Sequence, residues 1–125
     1  MKYVKLNNGV EMPILGFGVY QLPKEDTKRC VLDAIKVGYR AIDTAQSYFN
    51  ESEVGEAIKE CGVPREELFI TTKVWIDNYG YDKCKASVEE SLKKLQTDYI
   101  DLVLLHQLFS DYYGAYKALE DLYKE

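Results

Sequence analysis

The sequence has few of the residues that build disulfide frameworks or metal centres. It contains only three cysteines and one histidine in 125 residues. The cysteines, Cys30, Cys61 and Cys84, lie far apart and lack the CxxC spacing of a zinc site or a redox pair. We therefore predict no metal site, and we interpret the three cysteines as reduced thiols in the core of a cytoplasmic protein.

Positive charge and long hydrophobic runs are also scarce. The chain has 16 Lys and Arg residues against 21 Asp and Glu residues, and its basic residues form no cluster. This composition lacks the electrostatic footprint of a nucleic-acid-binding or lipid-binding surface. The first stretch, "MKYVKLNNGV", is too polar for a signal peptide, and no later stretch approaches a membrane span. We expect a cytoplasmic protein whose partners are small molecules or proteins, without nucleic acid or membrane.

Glycine-rich nucleotide motifs are missing as well. Gly16 and Gly18 form a GxG pair, but Gln21 stands where the third glycine of a dinucleotide fingerprint belongs. No P-loop is present. The sequence therefore gives no independent sign of a Rossmann or P-loop nucleotide site.

A hairpin is predicted at the start of the chain, over residues 1–14. The segments "YVKL" and "VEMPI" alternate in polarity on either side of Asn8 and Gly9. Asn-Gly is the pair that tolerates positive φ at both central positions of a type I′ turn. We therefore predict a β-hairpin closed by a two-residue turn.

Four βα units are predicted over residues 15–125. The strand-like segments are "LGFGVY", "YRAID", "LFITTKVW" and "YIDLVLLH". They alternate with helix-like segments in "KEDTKRCVLDAIKV", "ESEVGEAIKEC", "DKCKASVEESLKKL" and "YGAYKALEDLYKE". Short connections between such units predict parallel strands, so the fold class is α/β. The last strand is expected to be buried along nearly its whole length.

Ionisable residues follow the later strands. Asp43, Lys73 and His106 close the second, third and fourth strands, and Tyr48 comes five residues after Asp43. Because the carboxyl ends of parallel strands meet at one face, these residues are expected to be neighbours. Each also has a purely structural alternative: a loop cap for Asp43, a solvent-directed lysine, a hydrogen-bonded core histidine, and one tyrosine among eleven.

Together the four residues favour proton transfer. An ammonium close to a phenol stabilises the phenolate, so Lys73 would make Tyr48 a better acid. A carboxylate at Asp43 would keep Lys73 charged and oriented, because an uncompensated buried ammonium is costly. His106 would donate a hydrogen bond to a substrate oxygen. We therefore interpret Asp43 as the residue that orients Lys73, which in turn activates Tyr48.

Several segments resemble the aldo-keto reductases, in particular the bacterial branch of glyoxal and diketogluconate reductases. They are "GFGVYQ", "YRAIDTAQSYFNESEVGEAI", "LFITTKVW" and "SLKKLQTDYIDLVLLHQ". The resemblance spans nearly the whole chain and implies a TIM-type (β/α)₈ barrel. It further implies NADPH as the hydride donor, a small-molecule carbonyl substrate reduced to an alcohol, and a catalytic tetrad. That tetrad falls on Asp43, Tyr48, Lys73 and His106, with Tyr48 as the proton donor.

The resemblance also implies two sets of binding residues. Those beside the cofactor are Val19, Tyr20 and Asp43. Those that line the substrate pocket are Tyr20, Phe49, Trp75, His106 and Gln107. Departures from the family pattern occur at Tyr20, Phe49 and Leu108, where tryptophan, glycine and proline are common.

The length of the chain implies half of such a barrel. A complete barrel needs about 250 residues, so residues 1–125 are expected to form the N-terminal half of a monomeric enzyme. The half by itself is expected to be inactive and to self-associate through its open strand edges. Two alternatives remain: a catalytically silent half barrel that acts as a binding module, and a barrel enzyme that uses Lys73 as a Schiff-base nucleophile. Asp43 opposes the second alternative, because a carboxylate keeps lysine protonated.

Overall fold

A computed structural model describes all 125 residues, and the chain begins with the predicted hairpin. Strands β1 (Tyr3–Lys5) and β2 (Glu11–Pro13) pair in antiparallel register. The prediction of a two-residue type I′ turn is wrong. Leu6 N donates to Val10 O at 2.8 Å and Gly9 N donates to Leu6 O at 2.9 Å, which encloses a three-residue loop. In this longer loop only Gly9 needs a positive φ, of +88°.

The four predicted βα units follow the hairpin. Their strands are β3 (Gly16–Gly18), β4 (Ala41–Asp43), β5 (Phe69–Val74) and β6 (Leu102–Leu105). Their helices are α1 (Lys24–Lys36), α2 (Glu51–Glu60), α3 (Tyr81–Leu95) and α4 (Tyr112–Lys124). Short 3₁₀ helices span Gln46–Tyr48, Arg65–Glu67 and Ile76–Asn78. All four strands run parallel in the order β3-β4-β5-β6, which confirms the α/β class. None of the helices has the length and apolar character needed to cross a membrane.

The core lies between the sheet and its helices. Each helix buries at least one side chain completely, namely Val31 in α1, Val54 in α2, Cys84 in α3 and Ala115 in α4. Burial raises the pKa of the Cys84 thiol to about 11, so this thiol stays protonated at neutral pH. The three cysteines are free, but Cys30 and Cys61 are only half-buried. The expectation that all three lie in the core is therefore correct for Cys84 alone.

Strand β6 is less buried than the sequence predicted. None of its four residues is fully buried, and Leu104 is 42% exposed. The reason is topological, because β6 is an edge strand whose only partner is β5. A run of apolar residues indicates that both faces of a strand are suited to burial. It does not indicate whether other elements of the chain pack against both faces.

Helices α2 and α3 approach each other closely at Gly55 of α2. A Cβ atom added there would lie 2.8 Å from Leu95 Cα and closer still to the Lys94 carbonyl oxygen. Both of those atoms belong to the C-terminal end of α3, and Leu95 is fully buried. The absence of a side chain at Gly55 therefore allows α2 and α3 to pack at this short distance.

We predict that Gly55→Ala lowers the free energy of unfolding by about 1–3 kcal/mol, because the added methyl group overpacks a backbone contact. The same substitution elsewhere in a helix gains roughly 1 kcal/mol, so the expected sign is reversed here. Urea denaturation followed by circular dichroism measures the change. Ser52→Ala, at an exposed position of α2, is the control and should stay within about 0.5 kcal/mol of the wild type. A Gly55→Ala variant as stable as the wild type would contradict the proposed packing constraint.

Candidate active site

The strand ends bring the four sequence-predicted catalytic residues together. Asp43 is the last residue of β4, Lys73 lies one residue before the end of β5, and His106 directly follows β6. Tyr48 ends the 3₁₀ helix that follows β4. The parallel register pairs Lys73 with Leu104 of β6, so the segments that carry these side chains lie next to each other in the sheet.

Lys73 is the centre of this group. Its ammonium donates to Asp43 Oδ1 at 2.6 Å, to the Thr44 carbonyl oxygen at 2.9 Å and to the Tyr48 hydroxyl oxygen at 3.2 Å. These three acceptors match the three N–H bonds of the ammonium. The Lys73 side chain is only 13% exposed, so the alternative of a solvent-directed lysine is wrong. Because Tyr48 accepts from Lys73, its own O–H remains available to donate elsewhere.

His106 lies beside Tyr48. Its ring is edge-on to the rings of Tyr48 and Trp75, at centroid distances of 5.8 and 5.4 Å. Burial and the Lys73 ammonium lower the pKa of His106 below its usual 6.5, although the Asp43 carboxylate opposes this change. The imidazole is therefore neutral at pH 7 and offers one N–H donor and one acceptor nitrogen.

A buried asparagine, missed in the sequence analysis, holds the loop that carries Tyr48. Asn50 is 1% exposed, accepts from the Thr44 hydroxyl at 2.8 Å and donates to the Val19 carbonyl oxygen at 3.0 Å. These bonds tie the segment after β3 to the loop after β4. Between Tyr48 and Asn50, the exposed Phe49 adopts a left-handed conformation with φ of 58°. This residue type rarely adopts that conformation, so the surrounding contacts must impose it.

Two further polar residues that the sequence analysis missed brace the edge of the site. Gln46 accepts from the Trp75 backbone N–H and from the Asn78 side-chain amide, both at 2.9 Å. The Tyr79 hydroxyl donates to the Gln107 carbonyl oxygen at 2.5 Å and accepts from the Gln107 N–H at 3.1 Å. Tyr79 is 5% exposed, so this two-way contact anchors the exposed Gln107, the residue after His106, to a buried side chain.

The residues assigned to binding by resemblance lie around the tetrad in different ways. Tyr20 is 66% exposed, and its ring centroid lies 5.0 Å from that of Tyr48. Trp75 contacts His106, as described above. Phe49 and Gln107 are exposed and adjoin Tyr48 and His106 in the chain. Val19, in contrast, is completely buried in the core.

The geometry supports one kind of chemistry. A phenol receives a hydrogen bond from a paired ammonium, and a neutral imidazole lies beside it with one proton to share. An oxygen atom placed near Tyr48 and His106 would meet two potential donors. Such an arrangement is suited to general acid catalysis at an oxygen that gains negative charge.

Comparison with known proteins identifies the family. The model of the Aldo/keto reductase family matches residues 14–125. The glyoxal reductase of Bacillus subtilis (strain 168) is 52% identical over 124 residues, which cover 98% of this chain and 45% of that protein. This share means that the chain spans about half the length of the curated relatives it matches.

Solved structures agree with this similarity. A crystal structure of an aldo/keto reductase from Brucella melitensis matches with a TM-score of 0.96 at 40% identity, over 98% of this chain and 48% of that chain. A crystal structure of a Bombyx mori aldo-keto reductase in complex with NADP matches with a TM-score of 0.91 at 36% identity. The match covers 98% of this chain and 47% of that chain. The hairpin and the four βα units thus correspond to about half of a barrel enzyme, as the resemblance implied. The chain belongs to the aldo/keto reductase family.

Proposed function

We propose that this site reduces an aldehyde or ketone to an alcohol with NADPH as the hydride donor, and that Tyr48 is the proton donor. The observation that carries the proposal is the 3.2 Å hydrogen bond from Lys73 Nζ to the Tyr48 hydroxyl oxygen, inside a paired Lys73–Asp43 group. The similarity to a glyoxal reductase supports carbonyl reduction, and the neighbour in complex with NADP supports the cofactor.

In this proposal each residue of the tetrad has one task. Tyr48 gives its proton to the carbonyl oxygen as negative charge develops there. Lys73 stabilises the charge left on the phenolic oxygen, and Asp43 holds Lys73 in place. His106 donates its single N–H to the same carbonyl oxygen and so orients the substrate. Tyr20, Phe49, Trp75 and Gln107 line the pocket in which the substrate lies.

The residues of this chain fit one end of the cofactor. The Asp43 side chain is 43% exposed even though it is paired with Lys73, so it has an oxygen available for a ribose hydroxyl of NADPH. Tyr20 offers an exposed aromatic surface beside Tyr48 for the nicotinamide end. We do not extend the proposal to Val19, because its side chain is buried and its backbone N–H and carbonyl oxygen already bond Asp43, Asn50 and Leu22. When bound, NADPH supplies the hydride.

The contacts of Lys73 argue against the Schiff-base alternative. A nucleophilic lysine must be an unprotonated amine with a free lone pair. Lys73 instead donates three hydrogen bonds and lies 2.6 Å from a carboxylate. All three N–H bonds of the ammonium are thus in use, and no free lone pair is presented to a carbonyl carbon.

We predict that Tyr48→Phe lowers carbonyl reduction by about 10²- to 10⁴-fold and leaves NADPH affinity nearly unchanged, because it removes the hydroxyl that donates the proton and keeps the aromatic ring. The assay uses residues 1–125 joined to the remaining part of the B. subtilis glyoxal reductase, with NADPH oxidation as the readout. Tyr113→Phe, at a position that is 78% exposed, is the matched control. Unchanged turnover in the Tyr48→Phe protein would refute the assignment.

We predict that Lys73→Met raises the pKa of His106, because the repulsive ammonium is lost while the Asp43 carboxylate, which raises this pKa, remains. Asp43→Asn should change the pKa in the opposite direction. The chain has one histidine, so an NMR titration of its imidazole reports this site alone. Lys93→Met, at an exposed position, is the control. A His106 titration that does not respond to Lys73→Met would show that the two groups are not coupled.

We further propose that residues 1–125 by themselves are inactive, bind NADPH weakly or not at all, and associate with a second copy. Strands β3 and β6 each have an unpaired edge, and such edges favour pairing between chains. Productive hydride transfer also requires reacting atoms held at about 3–3.5 Å, which the tetrad alone does not provide. NADPH fluorescence titration and light scattering test both parts. Micromolar NADPH binding would contradict the first part, and a folded monomer would contradict the second.

A further inference from the structure

We propose that Ser47 is a positioning residue that holds His106 in the neutral form whose proton is on Nε2. The Ser47 hydroxyl oxygen lies 3.4 Å from His106 Nδ1. This is the single hydrogen bond of the His106 ring and of the Ser47 hydroxyl within the chain. Ser47 directly precedes Tyr48 in the 3₁₀ helix, so one turn of backbone places both side chains at the site.

The His106 ring has little freedom to turn away from Ser47. The backbone N–H of His106 donates to the Val74 carbonyl oxygen at 3.1 Å, which fixes the start of the side chain. The rings of Tyr48 and Trp75 then confine the imidazole from two directions, with interplanar angles of 77° and 80°. With the ring plane fixed, the remaining variable is which nitrogen carries the proton.

A serine hydroxyl next to Nδ1 can stabilise one of the two neutral forms. A neutral imidazole has one donor nitrogen and one acceptor nitrogen, and a hydroxyl hydrogen rotates to suit its partner. When Ser47 donates to Nδ1, the lone pair must be on Nδ1 and the proton on Nε2. The opposite polarity would leave Nε2 as an acceptor. We assign the first arrangement because the Nε2–H form is the more stable one for a free neutral histidine side chain, and a donated bond to Nδ1 stabilises it further.

The functional consequence rests on the proposed carbonyl reduction, because only an Nε2–H group can donate from the side of the ring that faces away from Ser47. The site would then present two donors to one oxygen, Tyr48 O–H and His106 Nε2–H. Ser47 touches neither substrate nor cofactor in this scheme. Its effect passes entirely through the His106 ring.

The test is the tautomer of His106, measured by NMR on protein labelled with ¹⁵N in histidine at about pH 8, well above the ordinary imidazole pKa of about 6.5. Wild type should show the two well-separated nitrogen signals of the Nε2–H form. Ser47→Thr keeps a hydroxyl, and Ser47→Val has nearly the same shape as that threonine with a methyl group in place of its hydroxyl. We expect Ser47→Thr to preserve the separation and Ser47→Val to shrink it toward the average of the two tautomers.

Ser87→Ala is the control, because the Ser87 hydroxyl donates to the Cys84 carbonyl oxygen and not to His106. A wild-type Nδ1–H form, or equal spectra for Ser47→Thr and Ser47→Val, would overturn the inference. If circular dichroism shows that either variant does not fold, Ser47→Ala is compared with wild type instead. A smaller separation of the two nitrogen signals in Ser47→Ala supports the inference, and an equal separation overturns it. The measurement needs no substrate, so a failure of the proposed reduction would leave its result intact.

Discussion

The arrangement of the site is determined by one buried positive charge, the ammonium of Lys73, which requires hydrogen-bond acceptors and a counter-charge. Lys73 projects from the middle of a parallel sheet, where a charge without partners would be strongly unfavourable. Its three hydrogen bonds reach Asp43, the Thr44 carbonyl and Tyr48, all of which come from β4 or the turn after it. The β4–β5 register, the 3₁₀ turn and the orientation of Tyr48 must therefore agree with one another. A change in any of them would leave the ammonium partly unsatisfied.

A second layer of buried polar groups supports this arrangement from the helix side of the sheet. Thr72, the neighbour of Lys73, points away from the site and donates to the Glu51 carboxylate at 2.7 Å, and Glu51 is 3% exposed. Asn50 precedes Glu51 and bonds Thr44. The N-terminal end of α2 is therefore linked to β5 and to the residue that follows β4. In a low-dielectric interior, such linked hydrogen bonds specify one arrangement of the chain.

The convergence of Asp43, Lys73 and His106 was predictable because it follows from local patterns and one topological rule. Apolar periodicity locates the strands, and parallel strands have their carboxyl ends at one face. The roles of Asn50 and Tyr79 were not predictable in this way. Both bond the backbone of segments that lie 31 and 28 residues away, and a sequence pattern contains no record of such partners. The prediction that β6 is buried was wrong for a related reason, because the burial of a strand depends on the elements packed against it and not on its own sequence.

The three-residue 3₁₀ helix after β4 has a consequence for how the length of this segment can vary. Successive side chains in a 3₁₀ helix are about 120° apart, so its three residues point in three directions. Gln46 reaches the segment after β5, Ser47 faces His106 and Tyr48 meets Lys73. Inserting or deleting one residue here would rotate every side chain by a third of a turn and exchange their partners. The segment of eight residues from Asp43 to Asn50 should therefore keep a constant length, because the number of residues between β4 and α2 sets which side chain meets which partner.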